Sequence, residues 1–327
     1  MSGEEVMAMM PVVVGVDGSP ESLRAVEWAA LEARRHRAPL RIVAAPALLP
    51  HMRDRSQEPE TVALRLKRES RLVLDEAIVR AGEVATRQRI EAGLLTGPPA
   101  VAVAQSGSGA LMLVVGARGL GGFAALLLGS VSRYAAMQAR CPVVVVREET
   151  SAVHGEVIVG VRDPRDTTAT LGYAFEEAAL RNASLMAVHS WNGTRSTSGG
   201  TDAGRIAAEA ELNLSEALKA WHDKYPTVPV WHDVVHDHPA HVLAIYSTRA
   251  DLVVIGRHDD SGPHPAIGGI QHALLNHARG PVAIVPATEL PAGRSYKPRV
   301  RAAARSCGRA DGWATWSMIC WAWLDAS

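Results

Sequence analysis

The sequence predicts an α/β protein made of two tandem, doubly wound, parallel five-stranded sheets flanked by helices. The chain has 327 residues, which is long enough for two domains. Short Val-rich segments alternate with longer amphipathic segments, the order expected of a parallel sheet covered by helices. This order also repeats along the chain with a period of about 140–145 residues.

Three apolar segments carry the repeat. They recur in the same order: Val12–Val16 as Val157–Val161, Leu113–Gly116 as Leu252–Gly256, and Arg140–Val146 as Arg279–Val285. We therefore expect a first domain at 1–150, a second at 151–290, and a C-terminal extension at 291–327.

The strands are predicted from nearly continuous apolar runs, because strands buried on both faces lack polar alternation. In the first copy the runs are 11–17, 40–45, 85–91, 110–116 and 143–147. In the second copy they are 156–162, 185–190, 228–235, 251–256 and 282–286. The Val-rich fifth strands of the two copies are candidates for edge pairing between domains or between chains.

Helix signals fill the spaces between the strands. Ser19-Pro20 supplies an N-cap and a proline at the first position of a helix over about 20–38. The next helix is predicted from an apolar stripe formed by Val62, Leu66, Val73 and Ala77. Gly97-Pro98-Pro99 and Gly129-Ser130 begin the third and fourth helices.

Composition argues against several classes of protein. Lys+Arg and Asp+Glu both number 34, and six basic residues fall between Arg294 and Arg309, so the body is mildly acidic and no nucleic-acid partner is expected. Three cysteines cannot form a disulfide framework, which favours a reducing, cytoplasmic location. The N-terminus lacks a signal-peptide pattern, and no apolar stretch reaches about 18 residues, so no spanning helix is expected.

The residues after the fourth strand suit a phosphate group. Gly116 and Gly119 let the backbone approach a ligand, and Gly129-Ser130 begins a helix whose free N–H groups and positive dipole end attract an anion. Arg118 complements phosphate charge or is simply solvated. From the glycines alone, the alternative is a tight loop followed by an ordinary helix cap. No G-x-x-x-x-G-K-[ST] motif occurs, so the P-loop mechanism is absent.

These residues resemble the tandem universal stress protein family. The family's nucleotide signature, G-2x-G-9x-G-[ST], matches Gly116, Gly119, Gly129 and Ser130, and Val14-Gly15-Val16-Asp17-Gly18-Ser19 matches its first strand and turn. The resemblance covers 11–147 strongly and 156–286 more weakly. It implies an adenine nucleotide alpha hydrolase-like fold with ATP as the ligand, with or without magnesium.

The resemblance also implies roles for individual residues. Asp17 would bond the adenine or ribose edge, although an Asx cap of the first helix is the alternative. Gly15 would let the ligand approach the first strand, and the backbone at Ala45 would contact adenine. The remaining residues would cradle ribose and phosphates: Gly116, Gly119, Gly129 and Ser130.

The second copy departs from this pattern. Arg162 replaces Asp17, although Asp163 could substitute by a shift of one residue. Asp259 stands at the second glycine, and Gly269-Ile270 at the last pair. An acidic group facing phosphates and an isoleucine without a hydroxyl both weaken binding, so we expect one degenerate site that serves as a structural partner.

Histidines concentrate in the second copy without forming a recognisable metal motif. The cluster consists of His232, His236, His238 and His241. Its spacing runs through a strand, a turn and a helix start, so no metal site is expected.

The leading functional prediction is an ATP-binding stress-response protein that regulates a partner or its own assembly, and we expect a homo-oligomer containing an intrachain pseudo-dimer. No catalytic motif accompanies the glycine loop, so a binding protein is favoured over an enzyme. The alternatives are a slow ATPase or self-phosphorylating protein using Ser130, and an adaptor that binds no nucleotide. We expect the basic, Trp-rich extension to be poorly ordered, with an anionic membrane surface as its alternative partner.

Overall fold

A computed structural model of the chain describes residues 10–46, 59–120, 128–147, 153–163, 168–191, 201–257 and 268–287. The first three ranges form the first half of the body, and the last four form the second half. The predicted C-terminal extension lies outside the described residues. None of the helices in the described part of the chain is both long and apolar enough to cross a bilayer.

Strands and helices alternate through both halves. The first half contains β1 Val12–Val16, α1 Pro20–His36, β2 Leu40–Ala44, α2 Pro59–Val84, β3 Ile90–Leu94, α3 Pro99–Ser106, β4 Met112–Gly116, α4 Ser130–Gln138 and β5 Val143–Val146. The second half contains β6 Glu156–Gly160, α5 Thr168–Arg181, β7 Ser184–Ser190, α6 Thr201–Lys224, β8 Val230–Val235, α7 Pro239–Tyr246, β9 Leu252–Gly256, α8 Gly269–His277 and β10 Val282–Val285.

The strands form one ten-stranded sheet in the order β3-β2-β1-β4-β5-β10-β9-β6-β7-β8. Each half is parallel and doubly wound, which confirms the predicted fold class. The two five-stranded sheets are joined through an antiparallel pair, β5 with β10, in which Val144 lies opposite Ala283. The predicted edge pairing of the fifth strands is therefore made within the chain.

The third strand is the one whose position was predicted wrongly. The expected strand at 85–91 is observed at Ile90–Leu94. Ala85 still packs on the core and donates its backbone N–H to Ala81, and Arg87 has a φ of 65°, so these residues end α2 and reverse the chain. Residues 86–89 are polar, so only Ala85 adds to the core before the strand begins at Ile90.

The helix starts agree with the capping signals. The Ser19 hydroxyl accepts a hydrogen bond from the Ser22 N–H at 3.2 Å, as an N-cap does, and Pro20 follows it. The third helix begins at Pro99, and the fourth begins at Ser130 with Gly129 as its N-cap. The first helix ends earlier than predicted, because Arg37 adopts a left-handed conformation with a φ of 53°.

Two hydrophobic cores lie on opposite faces of the sheet, and both run through the two halves. One core packs residues of α1, α2, α5 and α6 against alternate strand residues such as Val12 and Val157. The other packs α3, α4, α7 and α8 against the intervening residues, such as Val13 and Ile158. Because both cores are continuous, the halves form one body.

A buried group of charged residues links α1 to α5 across the two halves. The Arg181 guanidinium donates to Glu32 at 2.7 Å and also to Glu177, and Arg35 donates to Glu32 from the surface side. His36 Nε2 lies 3.1 Å from Glu177 Oε1. Among the described residues, Glu32, His36 and Glu177 are the one group with metal-ligand spacing. Arg181 and Arg35 together already compensate the two carboxylates, so a cation would add uncompensated charge.

The electrostatics of this group follow from burial and pairing. Burial opposes the ionised form of Glu177, yet Arg181 and His36 hold the pKa of Glu177 well below its usual range. Burial raises the pKa of Glu32 despite the neighbouring Arg181. Burial alone would lower the pKa of His36, but the Glu177 carboxylate, helped by Glu32 and Glu176, outweighs it and raises that pKa.

This raised pKa predicts a pH-dependent stability. Protonated His36 stabilises the fold fully below its unfolded pKa, near 6.5, and the contribution is lost as pH rises through the higher folded-state pKa. The free energy of unfolding should therefore fall in that window by up to about 1.4 kcal/mol per pH unit from this one proton. His36→Gln, which keeps a donor but does not titrate, should flatten the decline.

Denaturant unfolding at a series of pH values from 5 to 9 measures this slope. The control is His222→Gln, whose ring is exposed near the end of α6. An equal slope in wild type and His36→Gln would contradict the assignment.

Candidate functional site

The loop after β4 lies between the N-termini of α1 and α4. The Ser132 hydroxyl donates to the Gly116 carbonyl at 2.6 Å, and the Gly129 N–H donates to the Ala117 carbonyl at 2.8 Å. Ser132 is buried in the first turn of α4. These bonds fix the start of α4 at the carboxyl end of β4, where ligands of doubly wound sheets bind.

Asp17 connects the end of β1 to the same loop. Its Oδ1 accepts from the Ser19 N–H at 3.0 Å and from the Ser19 hydroxyl at 2.6 Å. Its Oδ2 accepts from the Leu120 N–H at 2.8 Å. One carboxylate therefore both caps the turn and contacts the glycine loop. We call these three hydrogen bonds of Asp17 the Asp17 clasp.

Three glycines of the predicted site are required by packing within the protein itself. A Cβ at Gly119 would lie 2.2 Å from Oδ2 of Asp17. A Cβ at Gly116 would lie 2.7 Å from the carbonyl carbon of Glu21, at the start of α1. A Cβ at Gly15 would lie 2.9 Å from a valine side chain of α3. Each absent side chain lets two elements approach closely, whether or not a ligand is present.

Gly129 differs from these three. A Cβ there would meet Ala117 O at 3.4 Å and Arg118 Cα at 3.5 Å, and its φ of −73° suits any residue. It caps α4 without a side-chain hydrogen bond, where Ser, Thr, Asp or Asn are preferred. The fold therefore does not require glycine at this position. The glycine instead leaves the first N–H groups of α4 open to an anion, with the exposed Ser130 beside them.

The structure brings most of the predicted site residues to one edge of the sheet. Arg118 is exposed on the loop after β4, and Ala45 follows β2, the neighbour of β1. Ala45 is half-buried against the second core. Gly15 is buried within β1, two residues before Asp17. Sequence reasoning missed Ser132 and the Leu120 N–H. A serine at the third position of a glycine-capped helix is the signal that could have indicated the first.

The second half repeats the framework of this edge. The Gln271 side-chain amide donates to the Gly256 carbonyl at 3.0 Å, in the place where Ser132 donates to Gly116. Gln271, like Ser132, lies in the first turn of its helix. The polar bond that fixes the helix start is thus kept with a different side chain.

This correspondence corrects the predicted alignment of the second signature. Gly268 is the N-cap of α8 and Gly269 is its first residue, so the pair equivalent to Gly129 and Ser130 is not Gly269-Ile270. The spacing from strand to helix is one residue shorter than in the first half, which sequence alignment alone did not reveal. Gly269 still provides no hydroxyl at the place of Ser130.

The strand end also differs in the second half. Gly160 pairs in register with Ile255 as Gly15 pairs with Val115, so Arg162 occupies the place of Asp17. Arg162 and Asp163 are both exposed. Asp259 lies outside the described residues. This position therefore carries a cation, where the first half has the carboxylate that forms the clasp.

The histidines of the second half contact separate partners. His232 Nε2 lies 2.6 Å from Glu211, and His241 Nδ1 lies 3.0 Å from Asp237. The His236 ring packs on Trp191 with centroids 4.3 Å apart. Within the described ranges, these histidines form no group with metal-ligand spacing.

Fold and site together define a tandem α/β protein whose first half has a glycine-capped helix start at the carboxyl edge of its sheet. The model of the universal stress protein family matches the chain twice, at residues 9–147 and 155–286. Universal stress protein Rv2005c of Mycobacterium tuberculosis is 35% identical over 286 residues, covering 84% of this chain and 96% of that protein. The chain belongs to the universal stress protein family.

A second relative and a solved structure agree. Universal stress protein Rv2623 of M. tuberculosis is 31% identical, covering 84% of this chain and 95% of that protein. The crystal structure of a universal stress protein from Archaeoglobus fulgidus DSM 4304 superposes with a TM-score of 0.62 at 15% identity, covering 84% of this chain and 96% of the other. At that identity the superposition shows a shared fold.

Placing the same side chain at two glycines tests their different roles. Gly119→Ser should break the Asp17 clasp and lower the free energy of unfolding by about 1–3 kcal/mol, because its Cβ overlaps Oδ2. Gly129→Ser should change stability by less than about 0.5 kcal/mol, because serine is a good N-cap and has room. Urea unfolding of the two variants beside wild type makes the comparison. Equal losses would show that the fold itself needs Gly129.

Proposed function

We propose that the protein binds ATP at the edge formed by β1, β4 and α4, and that occupancy regulates a partner or self-assembly in a stress response. The observation that carries this proposal is the start of α4. There a glycine that the fold does not need leaves uncapped N–H groups facing a loop held by the Asp17 clasp. Family membership supports the choice of an adenine nucleotide.

The phosphates belong at the start of α4. Uncapped N–H groups and the positive end of the helix dipole favour an anion there, and the Ser130 hydroxyl adds a donor. Arg118, exposed on the adjacent loop, contributes a positive charge that can move to the phosphates. Gly116 and Gly119 act by shaping that loop. Magnesium, when it accompanies ATP, would be held mainly by the phosphates.

The nucleoside belongs at the ends of β1 and β2. The Asp17 carboxylate accepts three hydrogen bonds within the protein and keeps capacity for one more, which a ribose hydroxyl can supply. The backbone at Ala45 lies at the end of the neighbouring strand, where it can contact adenine. Gly15 lets Val103 of α3 pack closely against β1, beneath the site.

The proposed mechanism is a population shift that acts through the clasp. Asp17 holds the Leu120 N–H, so a ligand that bonds Asp17 and the α4 N-terminus spans both ends of the same loop. Binding would stabilise the arrangement in which Asp17, Leu120 and the start of α4 are held together, and a partner that recognises this arrangement would respond to ATP. Catalysis is not needed, and we assign no general base.

The wider setting is part of the same proposal. We take the chain to comprise domains at 1–150 and 151–290 with an extension at 291–327, to act in the cytoplasm, and to self-associate. The first domain would carry the ATP site, and the second would act as its structural partner.

Mass spectrometry of nucleotide released by denaturing the purified protein tests this function. Co-purified ATP supports the proposal. ADP together with phosphate release from added ATP would indicate a slow ATPase. An empty protein that also fails to bind added ATP in calorimetry would overturn the proposal.

Gly129→Glu should abolish measurable ATP binding while leaving the fold intact. Its carboxylate would occupy the phosphate position and repel the ligand. Calorimetric titration measures the loss, which should be at least about 100-fold, or about 2.7 kcal/mol. Gly129→Gln matches glutamate in size without its charge, so it is the control and should retain more of the affinity. Unchanged affinity in a folded Gly129→Glu variant would place the phosphates elsewhere.

About one ATP should bind per chain. The second half has Arg162 in place of Asp17 and Gly269 in place of Ser130, so these two positions supply neither the carboxylate nor the hydroxyl. Stoichiometry at saturating nucleotide, by equilibrium dialysis, decides the number. A value near two would mean that backbone groups alone are enough to hold the ligand.

A further inference from the structure

The solvent face of α2 carries large apolar side chains. Leu64, Leu72 and Val79 are 63%, 62% and 63% exposed, while Leu74 and Ala77 on the opposite face are buried in the core. Leucine and valine are therefore present on both sides of this helix. Its inner side is explained by the fold, and its outer side is not.

The outer residues follow a heptad-like spacing. The face consists of Thr61, Leu64 with Arg65, Arg68, Arg71 with Leu72, Asp75, Ile78 with Val79, and Gly82. Successive positions are about 3.5 residues apart, the spacing that lets two helices pack along their length. From 61 to 82 the face is about 30 Å long at 1.5 Å per residue.

The charges of α2 are divided between its two ends. The N-terminal part, 61–72, carries Arg65, Lys67, Arg68 and Arg71 against Glu69. The C-terminal part, 73–84, carries Asp75, Glu76 and Glu83 against Arg80. A basic half followed by an acidic half is complementary to itself when a second copy runs in the opposite direction.

We propose that the outer face of α2 is a self-association surface, on which α2 of a second copy of this chain packs antiparallel about a two-fold axis between Arg71 and Leu72. This register sets Leu64 opposite the partner's Val79 and Arg68 opposite the partner's Asp75. It brings the two copies of Leu72 together at the centre. Neither Arg68 nor Asp75 has an ion-pair partner within the described part of the chain, whereas Arg65 pairs with Glu69.

The rest of the fold favours this surface over the sheet edges at the centre of the body. The β5 and β10 edges are already paired with each other inside the chain, so they are not available to a second copy. The equivalent helix of the second half, α6, exposes Leu212 at 71% but has no basic half to complement its acidic residues in a second antiparallel copy. Leu212 is therefore a matched control for an exposed leucine that carries no self-complementary pattern.

Size-exclusion chromatography with light scattering on the full chain tests the proposal. Wild type should have a mass twice the 34.8 kDa of one chain. Leu72→Arg should return it to the mass of one chain, because it replaces the apolar contact at the centre by two guanidinium groups beside the two Arg71 side chains. Leu212→Arg should leave the mass doubled. A monomeric wild type, or a Leu72→Arg variant that remains dimeric, overturns the proposal.

A charge exchange tests the register itself. Arg68→Asp and Asp75→Arg should each weaken the dimer, because each places like charges opposite one another. The double variant should restore it, because the pair is rebuilt with its polarity reversed. Both positions lie on the exposed face, and circular dichroism confirms that each variant is folded. Failure of the double variant to recover while both single variants dissociate would overturn the antiparallel register.

Discussion

The antiparallel pairing of β5 with β10 is the interaction on which the rest of the structure depends. It joins two parallel sheets, removes two exposed strand edges and makes each hydrophobic core continuous through both halves. It also brings α1 beside α5, so that the buried Glu32 carboxylate of one half meets the buried Arg181 guanidinium of the other, and His36 meets Glu177. Such charges are tolerated in the interior only because they compensate one another, which makes the contact specific to these two halves.

The candidate site also depends on a side chain that joins two distant segments. The Asp17 carboxylate first caps the turn that leads into α1 and then holds the loop 103 residues away. That loop is fixed from the other side by Ser132 in the first turn of α4. A ligand would therefore meet groups that are already positioned, which lowers the entropic cost of binding. The second half keeps the fixing bond through Gln271 but has Arg162 where the clasp would be, so its scaffold persists without the carboxylate.

The glycines of the motif have two different roles in the structure. Gly15, Gly116 and Gly119 are all needed for close packing within the protein, and only Gly129 has room for a side chain that the fold would accept. A signature of spaced glycines thus mixes residues that build the site with one that leaves space for its ligand. The two kinds of glycine differ in how closely other atoms lie to the position that a Cβ would occupy. The spacing of the glycines along the chain does not encode this distance.

The sequence by itself determined the repeat, nine of the ten strands to within about two residues, the helix starts at Pro20, Pro99 and Ser130, and the residues of the glycine loop. These features are local, because they depend on apolar runs and caps. Only the tertiary structure decided that β3 begins at Ile90, that Gly268 caps α8, and that Glu32 and Arg181 meet across 149 residues. Each of these depends on which elements pack together, and such long-range contacts leave no periodic signal in a single sequence.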